Sequence, residues 1–451
     1  MILAIVLLVL VFGTVVFHFV SPWYFTPIAS NWEAMDDTVT LTFVVTGIGF
    51  VLVNGFIAYC VIRFRKREGV RAHYEPENTK LEVWLTVFTT VAVAAMLAPG
   101  LFIWAQVVTP PDEATEVEVF AQQWNWSFRL PGSDGKLGVV EASFVEEGNP
   151  LGINPEDPYG RDDIVVRNPV LHLPMNKPVT FLLRSIDVLH NFTVPQFRVK
   201  MDFVPGIVTY IWATPTRTGS FDLLCEELCG IGHYAMRGSV VVDEQADYDT
   251  WLASQPTFEH TQASLKGDAA LGAANYAVCA ACHGAQGEGN AQMHAPKLAG
   301  HDASYIKRQL KNFKQGLRGT HENDVWGKNM AAMAMTLPDE AAVNNVVAYI
   351  SGLPDSPSLA TVQGDPARAK QLFDSTCAAC HGADGGGRWS VNAPSLKGMN
   401  DWYLAQQLNN FKHGIRGRHP QDLYGLQMGL VSRTLADETA INNMVAYINK
   451  L

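Results

Sequence analysis

Six of the seven cysteines in this 451-residue chain lie in three short clusters, and these clusters constrain its fold more than any other feature. Two clusters share the sequence Cys-Ala-Ala-Cys-His, at residues 279–283 and 377–381. A Cys-x-x-Cys-His pentapeptide is the attachment motif of c-type haem. The third cluster, residues 225–236, gathers two cysteines, a histidine and a methionine, which are soft donors suited to copper. These clusters predict a chain that carries electrons.

Three almost wholly apolar segments occupy the first 111 residues, at about 2–20, 39–62 and 83–108. Each is close to the roughly 20 residues with which a helix spans a bilayer. Basic residues accumulate on the cytoplasmic side of short loops. The loop between the second and third segments contains such residues, namely Arg63, Arg65, Lys66, Arg67 and Arg71. We therefore expect residues 1–111 to be transmembrane in a bacterial inner membrane, with this loop in the cytoplasm and the later domains in the periplasm.

The first apolar segment has a second interpretation, because an N-terminal apolar stretch is also typical of a cleaved signal peptide. It lacks the basic residues and the small-x-small cleavage site of such a signal. We expect a retained span, which makes the protein multi-pass.

The pattern changes after residue 116 to short alternating or β-branched runs that are broken by Pro, Gly and Asn. Runs of this kind predict an all-β sandwich or barrel, and we assign it to residues 112–254 as a cupredoxin-like domain. The runs are 117–120, 124–128, 179–183, 207–212, 219–224 and 238–243. The cysteine cluster falls in the loop between the last two runs, and His190 falls in an earlier loop. Residues 112–260 have a net charge of −12, which either attracts basic partners or aids solubility.

Two loops of a rigid β-scaffold can supply the ligands of a copper site. One copper ion needs fewer soft ligands than Cys225, Cys229, His233 and Met236 provide, so two copper ions bridged by both sulfurs fit the spacing better. A zinc site and a disulfide between the two cysteines remain alternatives, although zinc gives no reason for the methionine.

An internal repeat fills the C-terminal region, because an offset of 98 residues carries the first haem motif onto the second. The same offset relates Pro296/Pro394, Tyr305/Tyr403, Gln309/Gln407, Phe313/Phe411, Arg318/Arg416, Met330/Met428, Leu337/Leu435 and Tyr349/Tyr447. We assign the copies to residues 266–353 and 364–451, with linkers near 255–267 and 352–365. Each copy begins with a helix that ends in the haem motif and closes with another helix. This is the all-α plan of class I cytochrome c, and the pair resembles dihaem cytochromes c.

The haem motif and one downstream residue are expected to hold each haem. The expected groups are the thioethers of Cys279, Cys282, Cys377 and Cys380 and the imidazoles of His283 and His381. Methionines 330, 333 and 335 are candidates for the opposite side of the first iron, whereas the second copy has only Met428 in the matching window. Because only Met330 matches Met428, we assign these two as the sixth ligands. His321 and His419 also match and are the alternative.

Several stretches resemble subunit II of the haem-copper cytochrome c oxidases: residues 123–126 (Gln-Trp-Asn-Trp), residues 187–202, the 225–236 cluster and two hydrophobic spans. Quinol-oxidising homologues lack the copper cysteines, so the resemblance is to the copper-containing members. It implies a dinuclear copper centre, CuA. Its ligands would be His190, Cys225, the main-chain carbonyl of Glu227, Cys229, His233 and Met236. The resemblance also implies a magnesium ion, held by the Glu227 side chain at the boundary with subunit I.

Two further residues match functional positions of that family. Trp124 matches a surface tryptophan through which electrons reach CuA, although a strand aromatic is commonly a core residue. Glu82 matches an acid at the cytoplasmic mouth of a proton channel into subunit I, although an acid before a span is commonly an ordinary N-terminal helix residue. The seventh cysteine, Cys60, is expected to be a packing residue in the second span.

The resemblance implies that the chain is subunit II of a respiratory terminal oxidase. It would pass electrons from a periplasmic donor, either cytochrome c or a quinol-oxidising complex, through two c haems and CuA to subunit I. Oxygen would be reduced to water there, with proton pumping. No apolar segment here has the several histidines that such a site requires, so we expect it in another chain. The expected partners are subunit I, other oxidase subunits, the donor and the membrane, with no nucleic acid.

Two other functions are open at this point. The chain could be the equivalent subunit of a CuA-type nitric oxide reductase, or a membrane-tethered electron carrier without a catalytic partner.

Overall fold

A computed structural model of the protein describes residues 2–21, 26–71, 76–355 and 357–451. Three apolar helices, a β-sandwich and a helical C-terminal region follow one another along these residues. The predicted fold class is therefore confirmed.

Three helices in the described part of the chain are long and apolar enough to cross a membrane: α1 (Ile2–Val20), α2 (Glu33–Arg63) and α3 (Thr79–Val107). At most 6% of their most apolar windows is buried within the chain, so their apolar side chains are available to lipid or to other subunits. Helix α2 begins before the apolar run that predicted it. Its first turn contains Glu33 and Asp36, and acidic side chains are favoured there because the N-terminus of a helix carries partial positive charge.

Ten strands in the described residues form two sheets of five that pack face to face. They are β1 (Thr115–Gln122), β2 (Asn125–Leu130), β3 (Ile164–Val166), β4 (Val170–Pro174), β5 (Val179–Ser185), β6 (His190–Val194), β7 (Val199–Phe203), β8 (Thr209–Ala213), β9 (Gly219–Leu224) and β10 (Arg237–Asp243). The orders are β3-β2-β1-β5-β8 and β4-β10-β9-β6-β7. Fully buried aromatic rings, including Trp126, Phe128, Phe181 and Phe192, fill the space between the sheets.

The order of the second sheet brings the candidate copper ligands together. Strand β9 lies between β10 and β6. The 225–236 loop joins β9 to β10, and it contains a 3₁₀ turn at His233–Ala235. His190 was expected in a loop but is the first residue of β6. Because β6 and β9 are antiparallel, the start of β6 lies at the same edge of the sheet as the end of β9.

The sandwich is attached to the membrane helices by buried polar contacts. Trp32, which precedes α2, donates from Nε1 to the carbonyl of Trp212 at 3.0 Å. Trp212 in turn donates to the carbonyl of Gln106, near the end of α3, at 3.0 Å. Arg198 forms an ion pair with Asp36 of α2 at 2.7 Å. These contacts fix the position of the β-domain relative to α2 and α3.

The segment predicted as the first linker contains ordered structure. Short helix α4 (Pro158–Arg161) lies within the sandwich, and two helices follow the last strand, α5 (Gln245–Ser254) and α6 (Phe258–Leu265). Phe258 is 4% exposed and packs with Phe120, Leu151 and Ile153 of the sandwich. This ring holds α6 on the β-domain, so the linker expectation was wrong over these residues.

Each cytochrome-like copy is a cluster of helices around its own core. The first contains α7 (Ala269–His283), α8 (Ala303–Lys314), α9 (Val325–Ala334) and α10 (Glu340–Ser351). The second contains α11 (Pro366–Leu372), a π-helical turn (Phe373–Cys377), α12 (Ala378–His381), α13 (Asp401–Lys412), α14 (Leu423–Ser432) and α15 (Glu438–Ile448). Asp339 and Asp437 cap the closing helices α10 and α15, since each accepts a backbone N–H at 2.8 Å.

Candidate copper and haem sites

The candidate copper ligands meet at the edge of the second sheet. The ligand atoms of His190, Cys225 and Cys229 all lie within 4.8 Å of one another. The two sulfurs are 3.8 Å apart, and the carbonyl oxygen of Glu227 is 3.3 Å from Cys225 Sγ. His233 was predicted in the same set, and its Nδ1 lies 3.5 Å from Cys229 Sγ.

The donors are arranged as two equivalent halves around the sulfurs. His190 Nδ1 lies 3.9 Å from Cys225 Sγ, whereas His233 and Met236 lie on the side of Cys229, with Met236 Sδ 3.9 Å from its sulfur. Two thiolates in the middle, each with its own imidazole, suit two metal ions that share the sulfurs. A single tetrahedral zinc would use four of these donors and leave the others without a role. The sulfurs are also further apart than the roughly 2.05 Å of a disulfide.

A carboxylate behind the site orients one imidazole. Asp187 Oδ1 lies 2.9 Å from His190 Nε2, and Asp187 Oδ2 accepts the backbone N–H of Gln123 at 2.7 Å. Burial is the largest single influence and raises the pKa of Asp187, but the hydrogen bonds from His190 and from the backbone N–H groups of Gln123 and Val188, together with the charge of His190, outweigh it, and the net pKa is lowered. The ionised carboxylate therefore holds the proton on Nε2, which leaves the Nδ1 lone pair facing the sulfurs, as a metal-binding histidine requires.

The two thiols titrate as a pair. Hydrogen bonding between the sulfurs is the largest influence and lowers the pKa of Cys225 to about 3. The same interaction and burial raise the pKa of Cys229. Without a cation the pair keeps one proton between the sulfurs, and a bound cation would release it because metals bind thiolates. The donor set therefore fits copper.

The first haem motif opens into an apolar cavity of its own copy. The cavity is lined by Cys279, Cys282, His283 and Met330, so the structure brings the predicted set together. His283 Nδ1 lies 2.6 Å from the carbonyl oxygen of Pro296, which can only accept a hydrogen bond. Burial lowers the pKa of His283. The ring is therefore neutral, with its proton on Nδ1 and the Nε2 lone pair free for iron.

The second motif repeats this arrangement. Cys377, Cys380, His381 and Met428 line a second cavity. His381 Nδ1 lies 2.9 Å from the carbonyl of Pro394, and burial lowers the pKa of His381. The proline carbonyls occupy matching positions in the repeat, so both copies present the same tautomer.

The alternative axial ligands have other roles. Among the described residues that line the two cavities, neither His321 nor His419 occurs. Each instead accepts a backbone N–H two residues later through Nδ1, at 3.2 and 3.3 Å, and so caps a turn. Met335 is 62% exposed, but Met333 lines the first cavity together with Met330.

Comparisons with known proteins agree with this geometry. A family model described as "Cytochrome C oxidase subunit II, periplasmic domain" matches residues 115–244, and one described as "Cytochrome c" matches residues 269–354 and 366–451. The chain is 55% identical over 276 residues to the alternative cytochrome c oxidase subunit 2 of Bradyrhizobium diazoefficiens, covering 61% of this chain and 98% of that protein. It belongs to the cytochrome c oxidase subunit II family.

Two further relatives cover different parts of this subunit II. The cytochrome c oxidase subunit 2 of Cereibacter sphaeroides is 30% identical over 249 residues, covering 50% of this chain and 77% of that one. The solved structure of reduced recombinant cytochrome c4 from Pseudomonas stutzeri is 30% identical, covers 41% of this chain and 99% of that chain, and has a TM-score of 0.33. The family implies CuA and haem c as cofactors, electron transfer as the activity, and membership of a haem-copper oxidase, an oxidoreductase complex with other subunits.

A cluster of hydrogen-bonded polar residues lies between the two haem cavities of this subunit II. The sequence pattern identified its members only as repeat positions and not as functional residues. Arg318 donates to Gln309 at 2.8 Å and to Tyr403 at 2.9 Å. Arg416 donates to Gln407 at 2.7 Å and to Gln309 at 2.8 Å. Its signal was present in the repeat, because each residue type recurs at the 98-residue offset.

This cluster also tests whether the cavities fit haem. Arg318 and Arg416 are only 8% and 7% exposed, and in the described residues their Nε atoms have no hydrogen-bond partner. A buried guanidinium needs an anion, because its charge is costly to bury alone. Carboxylates of haem propionates, seated beside these arginines, would supply that anion. The cavities therefore fit haem in their charge as well as in their sulfur and imidazole groups.

Trp124 lies directly under the copper loop and is not a surface residue. Its Nε1 donates to the carbonyl of Cys229 at 3.0 Å, and a Cβ on Gly232 would overlap its ring. Only 4% of the side chain is exposed. It is covered because the loop packs on one side of it and the second cytochrome copy lies beside it, where Gln427 Nε2 donates to its carbonyl at 3.2 Å.

The remaining predicted residues lie outside the sulfur cluster. Glu227 lies within the copper loop and is partly exposed. Glu82 is in the first turn of α3 and is exposed. The structure does not bring Glu82 near the copper or haem sites.

Proposed function

We propose that this subunit II delivers electrons from a periplasmic donor, either cytochrome c or a quinol-oxidising complex, to subunit I of a respiratory terminal oxidase in a bacterial inner membrane. Subunit I would reduce oxygen to water and pump protons. Copper and haem iron supply one-electron chemistry when bound. The observation that carries the proposal is the pair of sulfurs, 3.8 Å apart, with one imidazole beside each.

The roles of the chain's own residues follow from their contacts. Cys225 and Cys229 would bridge two copper ions, with His190, His233, Met236 and the Glu227 carbonyl completing the set. Asp187 holds the His190 ring in place. The ligands come from the start of β6 and from the loop that joins β9 to β10, so one sheet fixes the ends of both segments. Little reorganisation is therefore expected when the charge of the site changes.

Two covalent haems are proposed, one for each copy of the repeat. The Pro296 and Pro394 carbonyls hold His283 and His381 in the tautomer that binds iron. Met330 and Met428 would bind from the other side. Magnesium at Glu227 and a proton-channel role for Glu82 are proposed from the family resemblance, and both would require subunit I beside this chain.

The first test is metal and haem analysis of the purified oxidase complex. We expect two copper atoms and two covalent haems for each copy of this chain, near-infrared absorption from mixed-valence copper, and consumption of oxygen by the complex. Replacing Cys225 by Ser removes a bridging thiolate. Cys225→Ser should therefore abolish the near-infrared absorption and leave both haems in place.

The matched control is Cys60→Ser, because Cys60 is the one cysteine outside the three clusters. This variant should keep its full copper content. Retention of the near-infrared absorption in Cys225→Ser, or its loss in Cys60→Ser, would contradict the assignment of the copper ligands.

A further inference from the structure

The two cytochrome copies differ in what covers one face of each. The face is defined here as the haem-motif face, and its members in the second copy are Thr376, Val391, Tyr424, Gln427 and Val431. All five line the second haem cavity together with Trp124, Ile231 and Tyr234 of the copper domain. The haem-motif face of the second copy is therefore an internal docking surface.

The contacts across this internal surface are specific. Asn125 donates to the Tyr424 hydroxyl at 3.3 Å, and Gln427 donates to the Trp124 carbonyl at 3.2 Å. Cys380, one of the haem cysteines, packs against the hydrophobic core of the sandwich. Where it lines the haem cavity, the copper-domain side is mainly apolar, since Trp124, Ile231, Gly232, Tyr234 and Ala235 form it; the charged Arg167 lies outside this patch, near Tyr424.

The same face of the first copy is open. The 98-residue offset places Val278, Met293, Trp326, Asn329 and Met333 at the equivalent positions. These residues also line their haem cavity, but Val278 is 47%, Met293 45% and Trp326 39% exposed. By contrast, Val391, the equivalent of Met293, is 5% exposed.

The open face is unusual for a surface that meets only water. Its rim adds Val325 at 57% and Met335 at 62% exposure. A contiguous group of large apolar side chains around a cofactor cavity marks an interaction site more often than a solvated surface. The only charged residues within the exposed part of α9 and the turn before it are Lys328 and Glu322, and their charges have opposite signs.

We infer that the haem-motif face of the first cytochrome copy is the docking surface for the soluble cytochrome c that donates electrons, whereas Trp124 is closed to that partner. This inference rests on the proposed function. The second copy already occupies the place on the copper domain that an external protein would need. The first copy presents the equivalent face, with Val278, Met293 and Trp326 exposed, to a partner with an apolar contact patch.

The small net charge of the face determines how docking responds to salt. Docking through apolar side chains with balanced flanking charges is screened little by salt, unlike docking that depends on complementary charge. The rate constant for reduction by the soluble cytochrome should therefore depend weakly on ionic strength, although the copper domain itself is strongly acidic.

The test uses the whole oxidase complex, with a reduced soluble class I cytochrome c as the probe and oxygen excluded. Val325→Glu and Met335→Glu each place a charge at the rim of the face, and neither residue lines the haem cavity in the described structure. Leu271→Glu is the matched control, because Leu271 is 60% exposed in the same copy and lies outside the cavity. Stopped-flow absorption gives the second-order rate constant for haem reduction, and surface plasmon resonance gives the Kd of the oxidised probe.

Both face variants should lower the rate constant and weaken binding by about tenfold or more, because each places an unpaired charge against an apolar partner surface. Leu271→Glu should match the wild type. Reduction by dithionite, which needs no docking surface, should be equal in all four proteins. Unchanged probe kinetics in both face variants, a probe that does not reduce the wild type, or an equal loss in Leu271→Glu would overturn the inference. Failure of the proposed function would show itself earlier and differently, as a wild-type complex without covalent haem or copper.

Discussion

At the scale of single residues, the assignment of the sixth ligand of the first haem has two candidate methionines. Met330 and Met333 both line the cavity, but only Met330 has a methionine at the equivalent position of the second copy. A thioether ligand raises the reduction potential of haem. Met330→Leu should therefore lower the potential of one haem by on the order of 0.1 V, a part of the roughly 0.8 V over which axial ligands act. Redox titration of the purified complex measures this.

Met333→Leu is the control for that measurement. It removes a thioether from the same cavity, at a position where the second copy has Val431. The potentials of both haems should stay at their wild-type values. A drop in Met333→Leu instead of Met330→Leu would assign the ligand to the other methionine and show that the repeat is not symmetric at this point.

At the scale of elements, regular patterns were predictable and contacts between distant segments were not. The run at 219–224 coincides with β9, and the haem motif ends α7 as expected. The start of β6 was missed because His190 follows Asp187, Val188 and Leu189, and no alternating pattern in the sequence marks the beginning of a strand there. The burial of Trp124 was also missed, because it depends on Gln427, about 300 residues away in the chain.

Helix α6 is attached to the β-domain by one buried ring, with a further hydrogen bond from Gln262 to the carbonyl of Gly148 at 3.1 Å. The ring of Phe258 fills a gap beside Phe120 and Leu151, and its backbone N–H donates to the carbonyl of Asp163 at 2.7 Å. Phe258→Ala removes the ring and leaves a cavity, so it should lower the free energy of unfolding of the β-domain by about 3 kcal/mol. Thermal unfolding of the detergent-solubilised protein measures the change. Glu259→Ala, on the exposed side of α6, should leave stability within about 0.5 kcal/mol, and equal effects would mean that α6 is not anchored by this ring.

At the scale of the whole molecule, the two copies of the repeated domain contact each other through one face and differ in what their opposite faces contact. The copies share the inward-facing cluster of Arg318, Arg416 and the glutamines that bond them, so each cavity adjoins the other. The opposite face binds the copper domain in one copy and is open in the other. The sites therefore form a series, from the open face of the first copy through the second copy to the copper loop.

The internal interface can be tested without following electrons. Tyr424 bonds Asn125 of the copper domain at 3.3 Å, and its ring lies 4.9 Å from the Arg308 guanidinium of the first copy. Tyr424→Ala removes both contacts, so the second copy should cover the copper loop less tightly. Hydrogen–deuterium exchange of residues 230–235 should then rise severalfold, because local opening sets amide exchange.

The repeat supplies the control for this prediction. Trp326→Ala makes the equivalent change in the first copy, where the ring stacks on His294 instead of meeting the copper domain, and should leave exchange of the copper loop unchanged. Peptides of α15 report whether the second copy remains folded in Tyr424→Ala. Normal exchange in α15 together with an unchanged copper loop would mean that the loop is protected by its own bonds to Trp124 and Gln123, and that the second copy rests on it without adding protection.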